Sequence, residues 1–241
     1  YMNQILRSHD HERFEVYCYA HLGRDDAMTQ HIRENVDHFI DITALTNENA
    51  AARIHADGIH ILIDLNGHTT DTRLPVLAYR PAPVQMTYLG YPNTTGLATV
   101  DYRITDHDAE CEEGTRYVEK LLYMPQSFLC FGVDLKTEGT HIEEGDHITF
   151  ASFNNIRKIT PEVIQVWSRI LNRVPASTLA LKAKNLDNTV VSKNLLHEFA
   201  KHGIEAERIE FRPYTRTYEE HIIQYCSSDI ALDTFPYNGT T

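Results

Sequence analysis

Along this chain, short apolar runs rich in β-branched and aromatic residues alternate with longer stretches whose apolar positions return at helical spacing. Such alternation marks βα units built around parallel sheets. In the first half it predicts strands over Phe14–Ala20, His38–Ile42, Ile59–Leu65, Val84–Leu89, Asp101–Thr105 and Lys120–Tyr123, with helices over Ala27–Val36 and Asn47–Ala56. A second series follows. It has strands over His147–Ser152, Ser177–Leu181, Arg208–Arg212 and Asp229–Asp233, and helices over Pro161–Arg173, Thr189–Lys201 and Tyr218–Tyr225. Two of these helices carry their own start signals. Thr160-Pro161 supplies an N-cap and a first-turn proline, after which Val163, Trp167, Ile170, Leu171 and Val174 share one face. Thr217 and Glu220 have the spacing of a capping box. Between the two series, residues 134–146 are rich in glycine and carboxylates and lack periodicity, so a linker is placed there. It separates a first domain over 1–133 from a second over 147–241, the latter a partial doubly wound sheet.

Composition narrows the reading without changing it. A length of 241 residues suits two modest cores, and a hydrophobic fraction of 42% with 23% charged residues is that of a compact globular chain. The formal net charge of −12 argues against a nucleic-acid surface, so any phosphate ligand is to be held locally. The apolar runs are too short to cross a bilayer, and no membrane partner is expected. Cys18, Cys111, Cys130 and Cys226 are widely spaced, with no C-x-x-C pair, which fits a reducing cytoplasm better than a disulfide or zinc framework. The chain starts at Tyr1 with no secretory pattern and stops at Thr241 directly after a strand, so it reads as a piece of a longer protein.

Open α/β sheets bind ligands beyond the carboxyl ends of their strands, where helix N-termini offer N–H groups to anions. The loop Ser152 to Pro161 is the first candidate, because it brings Lys158 and the amides Asn154 and Asn155 to such a place. A lysine there suits a diphosphate leaving group, since fixed charge in a water-poor site is a large catalytic term; a solvated loop lysine is the equal alternative. The tail Thr234 to Thr241 offers backbone and hydroxyl donors through Gly239, Thr240 and Thr241. Two further loops, Gly67 to Asp71 and Arg80 to Gly96, place rigid Pro and Gly where backbone can approach a ligand. Fourteen histidines suggest metal binding, yet no ligand spacing supports it, and no metal or cofactor is expected. Hydrolase, P-loop and dinucleotide motifs are absent.

Taken together, the segments resemble the catalytic region of the O-linked N-acetylglucosamine transferase and SPINDLY family, with bacterial SPINDLY-like members nearest. The residues that carry the resemblance are Phe14 to Tyr19, Asp57 to Thr69, Arg80 to Gly96, Asp101 to Asp106, Phe153-Asn-Asn-Ile-Arg-Lys-Ile-Thr-Pro161, Glu219-Glu-His221 and Leu232 to Thr241. They run from end to end in the family's order. The resemblance implies a GT-B fold, two Rossmann-like domains facing a cleft, with the second truncated here. It implies inverting, metal-independent transfer of a sugar, most simply N-acetylglucosamine from its UDP donor, to Ser or Thr hydroxyls of proteins. Lys158 matches the lysine on the diphosphate and Asn155 a nearby amide position. His221 matches a histidine beside the nucleotide. Thr240 and Thr241 match the start of a diphosphate-binding helix cap, and Leu89 and Gly90 match contacts to the sugar end. Arg216 falls at the base-binding positions, where Arg216, Tyr218 and Gln224 differ from the animal enzymes. The partners implied are a nucleotide sugar and a protein or peptide acceptor. The family's first-loop Asp and His motif, its tetratricopeptide repeats and the remainder of its second domain lie outside these residues. Fucosyl transfer from GDP-fucose, glucosylation of Asn and a non-catalytic sugar-nucleotide-binding module remain the alternatives.

Overall fold

The computed structural model describes residues 1–110, 116–132 and 147–239. The chain separates into two compact units, Tyr1–Val133 and Asp134–Thr241; the linker expected over 134–146 lies outside the described residues.

In the first unit the order is α1 (Met2–Arg7), β1 (Tyr17–Ala20), α2 (Ala27–Arg33), β2 (His38–Asp41), α3 (Asn47–Ala56), β3 (Ile61–Asp64), α4 (Pro75–Ala78), β4 (Val84–Thr87), β5 (Tyr102–Thr105) and β6 (Lys120–Tyr123). β1 and β2 pair in parallel, and β3, β4, β5 and β6 form a second parallel sheet in chain order. Asp26 caps α2 by accepting from the N–H groups of Met28 and Thr29, and Thr46 caps α3 through Asn49. These caps satisfy N–H groups that the helix itself leaves open. Ala50, Ala51 and Ile54 of α3 pack with Ile42, Val76, Leu77 and Val100 into an apolar cluster.

The second unit runs β7 (Ile148–Ser152), α5 (Pro161–Arg173), β8 (Ser177–Leu181), α6 (Thr189–Ala200), β9 (Ile209–Phe211), α7 (Tyr218–Tyr225) and β10 (Ile230–Ala231). Its sheet has the order β10-β7-β8-β9, every pair parallel. α5 forms for the reasons its sequence supplies: Thr160 Oγ1 accepts from Val163 N, Pro161 opens the first turn, and Val163, Trp167 and Leu171 are buried on one face. They meet Phe150, Leu179, Leu181, Leu195, Phe199 and Ile209 in one core. Burying each large side chain contributes roughly 1.5–3 kcal/mol.

The order of this sheet fixes where a ligand can enter. β8 and β9 lie on one side of β7 and β10 on the other, so the loops that leave β7 and β10 diverge and open a crevice at the carboxyl ends of these two strands.

Candidate functional site

Two loops flank that crevice. After β7 the chain turns through Phe153 and Asn154 into a single 3-10 turn, Ile156–Lys158, capped by Asn155, whose Oδ1 accepts from Arg157 N at 3.0 Å. This turn places Lys158 just ahead of the N-terminus of α5. After β10, Asp233 Oδ1 accepts from Thr234 N and Gly239 N, both at 2.7 Å, and from Asn154 Nδ2 at 3.1 Å. One carboxylate oxygen thus folds the second loop and ties it to the first. The fit at Gly239 is close: a Cβ there falls 2.4 Å from Asn154 Oδ1, so a larger residue would displace the Asn154 amide.

Between the loops lies a cleft of about 430 Å³, lined by Asn155, Arg157, Lys158, Thr160, Phe235, Pro236 and Tyr237. That volume is within the range of small-molecule sites, about 300–1,000 Å³. Lys158 Nζ donates to the Asn238 carbonyl at 2.7 Å and stands 4.3 Å from the centre of the Tyr237 ring. The ammonium therefore already sits among acceptors, a carbonyl and an aromatic face, that an anion can replace.

His221 lies on α7, whose start is fixed by the capping box: Glu220 N donates to Thr217 Oγ1 at 3.2 Å, and Thr217 N to Glu220 Oε2 at 3.4 Å. Its imidazole is near Phe153, with ring centres 6.0 Å apart, which joins it to the β7 loop. Its Nδ1 is 2.5 Å from Lys182 Nζ. Lys182 follows the last residue of β8 and is buried. Burial, and then the Lys182 charge, push the His221 imidazole below its ordinary range. Burial, and then the nearby Arg212 guanidinium, do the same to Lys182.

The structure thus gathers Asn155, Lys158 and His221 around the mouth of one parallel sheet. Arg216 is exposed just before α7, and its N–H donates to Glu220 Oε2 at 3.1 Å. Leu89 and Gly90 belong to the first unit, in the turn after β4. Leu89 has φ 71°, and a Cβ on Gly90 would lie 2.0 Å from the Leu65 carbonyl oxygen, so backbone from two strand ends is pressed together there. Thr240 and Thr241 lie outside the described residues. Sequence reasoning passed over Lys182, whose only signal was a lysine directly at the carboxyl end of an apolar strand. It also gave no role to Arg157, Phe235 and Tyr237. Among the described residues no set of three or more His, Cys, Asp or Glu is grouped to hold a metal ion, and no helix is long and apolar enough to cross a membrane.

The model of glycosyl transferase family 41 matches residues 1–144 and 135–241, which together take in the whole chain. The chain belongs to glycosyl transferase family 41. Among its relatives is the "Probable UDP-N-acetylglucosamine–peptide N-acetylglucosaminyltransferase SPINDLY" of Eustoma exaltatum subsp. russellianum, 41% identical over 98% of this chain and 27% of that protein. The Arabidopsis thaliana protein named SEC, with the same activity in its name, is 32% identical over 100% of this chain and 26% of its own length. The chain spans about a quarter of the length of these curated relatives. Among solved structures, a mutant O-GlcNAc transferase of Thermobaculum terrenum superposes with a TM-score of 0.85 at 32% identity, covering 99% of this chain and 46% of that one. The architecture of this family 41 chain is accordingly α/β with parallel sheets, of the GT-B type.

Proposed function

We propose that this family 41 chain carries the donor-handling part of an inverting, metal-independent transferase that moves N-acetylglucosamine from its UDP donor to Ser or Thr hydroxyls of proteins. In this reading residues 147–241 form the donor lobe, and residues 1–133 the lobe that meets the sugar end through Leu89 and Gly90. The observation that carries the reading is Lys158, held at the mouth of the crevice between β7 and β10 and directly before the N-terminus of α5. A protein hydroxyl attacks the anomeric carbon and the UDP diphosphate leaves. Lys158 Nζ exchanges the Asn238 carbonyl for diphosphate oxygens and neutralises the charge that develops there. The positive end of the α5 dipole lies on the same side, with Asn155 a nearby donor. His221 lies beside the nucleotide, Arg216 near its base, and Thr240 and Thr241 complete the diphosphate cap. The names of the relatives support UDP-N-acetylglucosamine as the donor.

Calorimetric titration with UDP-N-acetylglucosamine and, separately, GDP-fucose tests this. Micromolar-range binding of the UDP donor is expected, weakened by Lys158→Ala by about 1.5–3 kcal/mol, the worth of a charge-assisted hydrogen bond, or roughly 10- to 150-fold. Selective binding of GDP-fucose moves the chain to fucosyl transfer, and binding of neither refutes a donor lobe here.

A further inference from the structure

Among the described residues, no carboxylate pairs with the buried Lys182. β8 ends on the fully buried Leu179, Ala180 and Leu181, and Lys182 follows with only 2% of its surface exposed. Its Nζ meets His221 Nδ1 at 2.5 Å, Thr215 Oγ1 at 3.4 Å and the Phe153 ring at 4.6 Å from its centre. The charged and titratable groups that face the pair are Arg212 from the segment after β9 and Tyr225 one turn along α7. The Tyr225 hydroxyl is itself pushed up by burial and then by the Asp233 carboxylate after β10. Burying a lysine against a histidine and an arginine costs stability that an apolar residue of the same length avoids. Perturbed groups of this kind concentrate at functional sites.

The contact admits one proton between two nitrogens. An ammonium pointing at Nδ1 requires that nitrogen to be bare, so a doubly protonated imidazole is incompatible with the lysine cation. Free lysine holds its proton far more tightly than free histidine, with ordinary pKa values of about 10.4 and 6.5. The proton therefore stays on Lys182, and the ring hydrogen of a neutral His221 is left on Nε2.

We propose that Lys182 is a positioning residue for His221: it locks the imidazole as the neutral Nε2–H tautomer, so that the ring meets the donor nucleotide as an uncharged plane with one fixed hydrogen-bond donor. The part that concerns the nucleotide rests on the donor reading above, and the lock itself does not. The arrangement makes nucleotide recognition insensitive to pH through the range in which a free histidine changes charge.

The test has two arms. In the first, the ring nitrogens of His221 are followed by 15N NMR in the unliganded protein as pH is lowered. The expected result is a bare Nδ1, a protonated Nε2 and no titration near pH 6.5 (roughly the free-histidine value). Lys182→Met, unbranched and of similar length, should raise the titration midpoint toward that value, with burial still holding it below, and mix the tautomers, while Lys182→Arg, which keeps a donor at Nδ1, should suppress both again. In the second arm, UDP-N-acetylglucosamine affinity is measured against pH. A flat profile is expected for the natural chain and a profile that bends at the His221 midpoint for Lys182→Met. Ordinary titration of His221 in the natural chain overturns the lock, and that measurement stands even if Lys182→Met fails to fold. A confirmed lock with identical pH profiles in the two proteins overturns its role in nucleotide recognition. Absence of binding to every protein refutes the donor reading instead, and the NMR arm still decides the tautomer.

Discussion

In Asp134–Thr241 the buried side chains converge on one apolar cluster around Trp167, whereas in Tyr1–Val133 the apolar cluster among the described residues is smaller and polar groups fill much of the interior. In the first unit Glu119 accepts from Thr95 N at 2.7 Å, from Thr94 Oγ1 at 2.8 Å and from the Thr95 hydroxyl. Asp106 accepts from Phe128 N at 2.6 Å and Ala109 N at 2.7 Å. Arg103 pairs with Glu110, which also holds Thr105. Gln85 spans the Leu77 and Thr99 carbonyls. The second unit is held by contact area, which is undirected, and the first by acceptors that must keep their charge and their geometry. The lesson is that two parallel-sheet units of one chain answer different perturbations.

Cutting into the apolar cluster should have the largest effect. Trp167→Ala removes the largest fully buried side chain and should destabilise the second unit by about 3–5 kcal/mol, read as a drop in the denaturant midpoint of a unit-specific probe while the first unit keeps its own. Equal losses in both units would show that the two interiors are coupled. Next comes Glu119→Gln, which keeps the shape and takes away the charged acceptor of three hydrogen bonds. About 1–3 kcal/mol should be lost from the first unit, and a change within error would mean that its polar interior is passive.

Acid sharpens the same contrast, because the signs differ. Burial alone would raise the Glu119 carboxyl, but the Thr95 and Thr94 hydrogen bonds outweigh it and hold it below the usual range. The Phe128 N–H is the main cause of the same depression at Asp106. Their contribution is complete above the unfolded carboxylate value near pH 4 and is lost as pH falls through the lower folded values. His221 is depressed too, but as a base. The folded chain then binds fewer protons than the unfolded one below about pH 6.5, so the second unit weakens as pH falls through that point. Between neutrality and about pH 5 the second unit should lose stability while the first does not; unfolding melts followed by hydrogen exchange would show the reverse order if these assignments are mistaken. The smallest effect belongs to Thr217→Ala. It removes the capping box of α7 and should cost about 1 kcal/mol, with local fraying around His221 rather than loss of the unit.

Where local chemistry is strong, the sequence and the structure agree. α5 spans Pro161–Arg173 as its cap, proline and apolar stripe require, the capping box of α7 forms, and β6 and β8 have the bounds their patterns predict. Strand ends were less legible. Asp229–Asp233 shrinks to Ile230–Ala231 because Asp233 turns the chain with its own side chain instead of pairing. α1 has a single buried residue, Leu6, and no side-chain cap, and α4 is a single turn, so neither leaves a periodic trace in the sequence. In the candidate site, Lys158 and His221 were legible because their segments resemble a family. Lys182 was not, because burial at the end of a strand is settled by α7 and the β7 loop, which are distant in the sequence.

The pairing of β10 with β7 also sets an order of assembly. Lys158 and the carbonyl it holds are 80 positions apart, and the bond from Asn154 to Asp233 that ties the two loops spans 79. A chain emerging from the ribosome can align β7, β8 and β9 once Phe211 is free, but one wall of the cleft is then still missing. Closing so long a loop is paid for in entropy before any contact is gained. The crevice is therefore completed after the body of its sheet, and a nascent chain cannot take up a ligand there until residues 230–239 have been made.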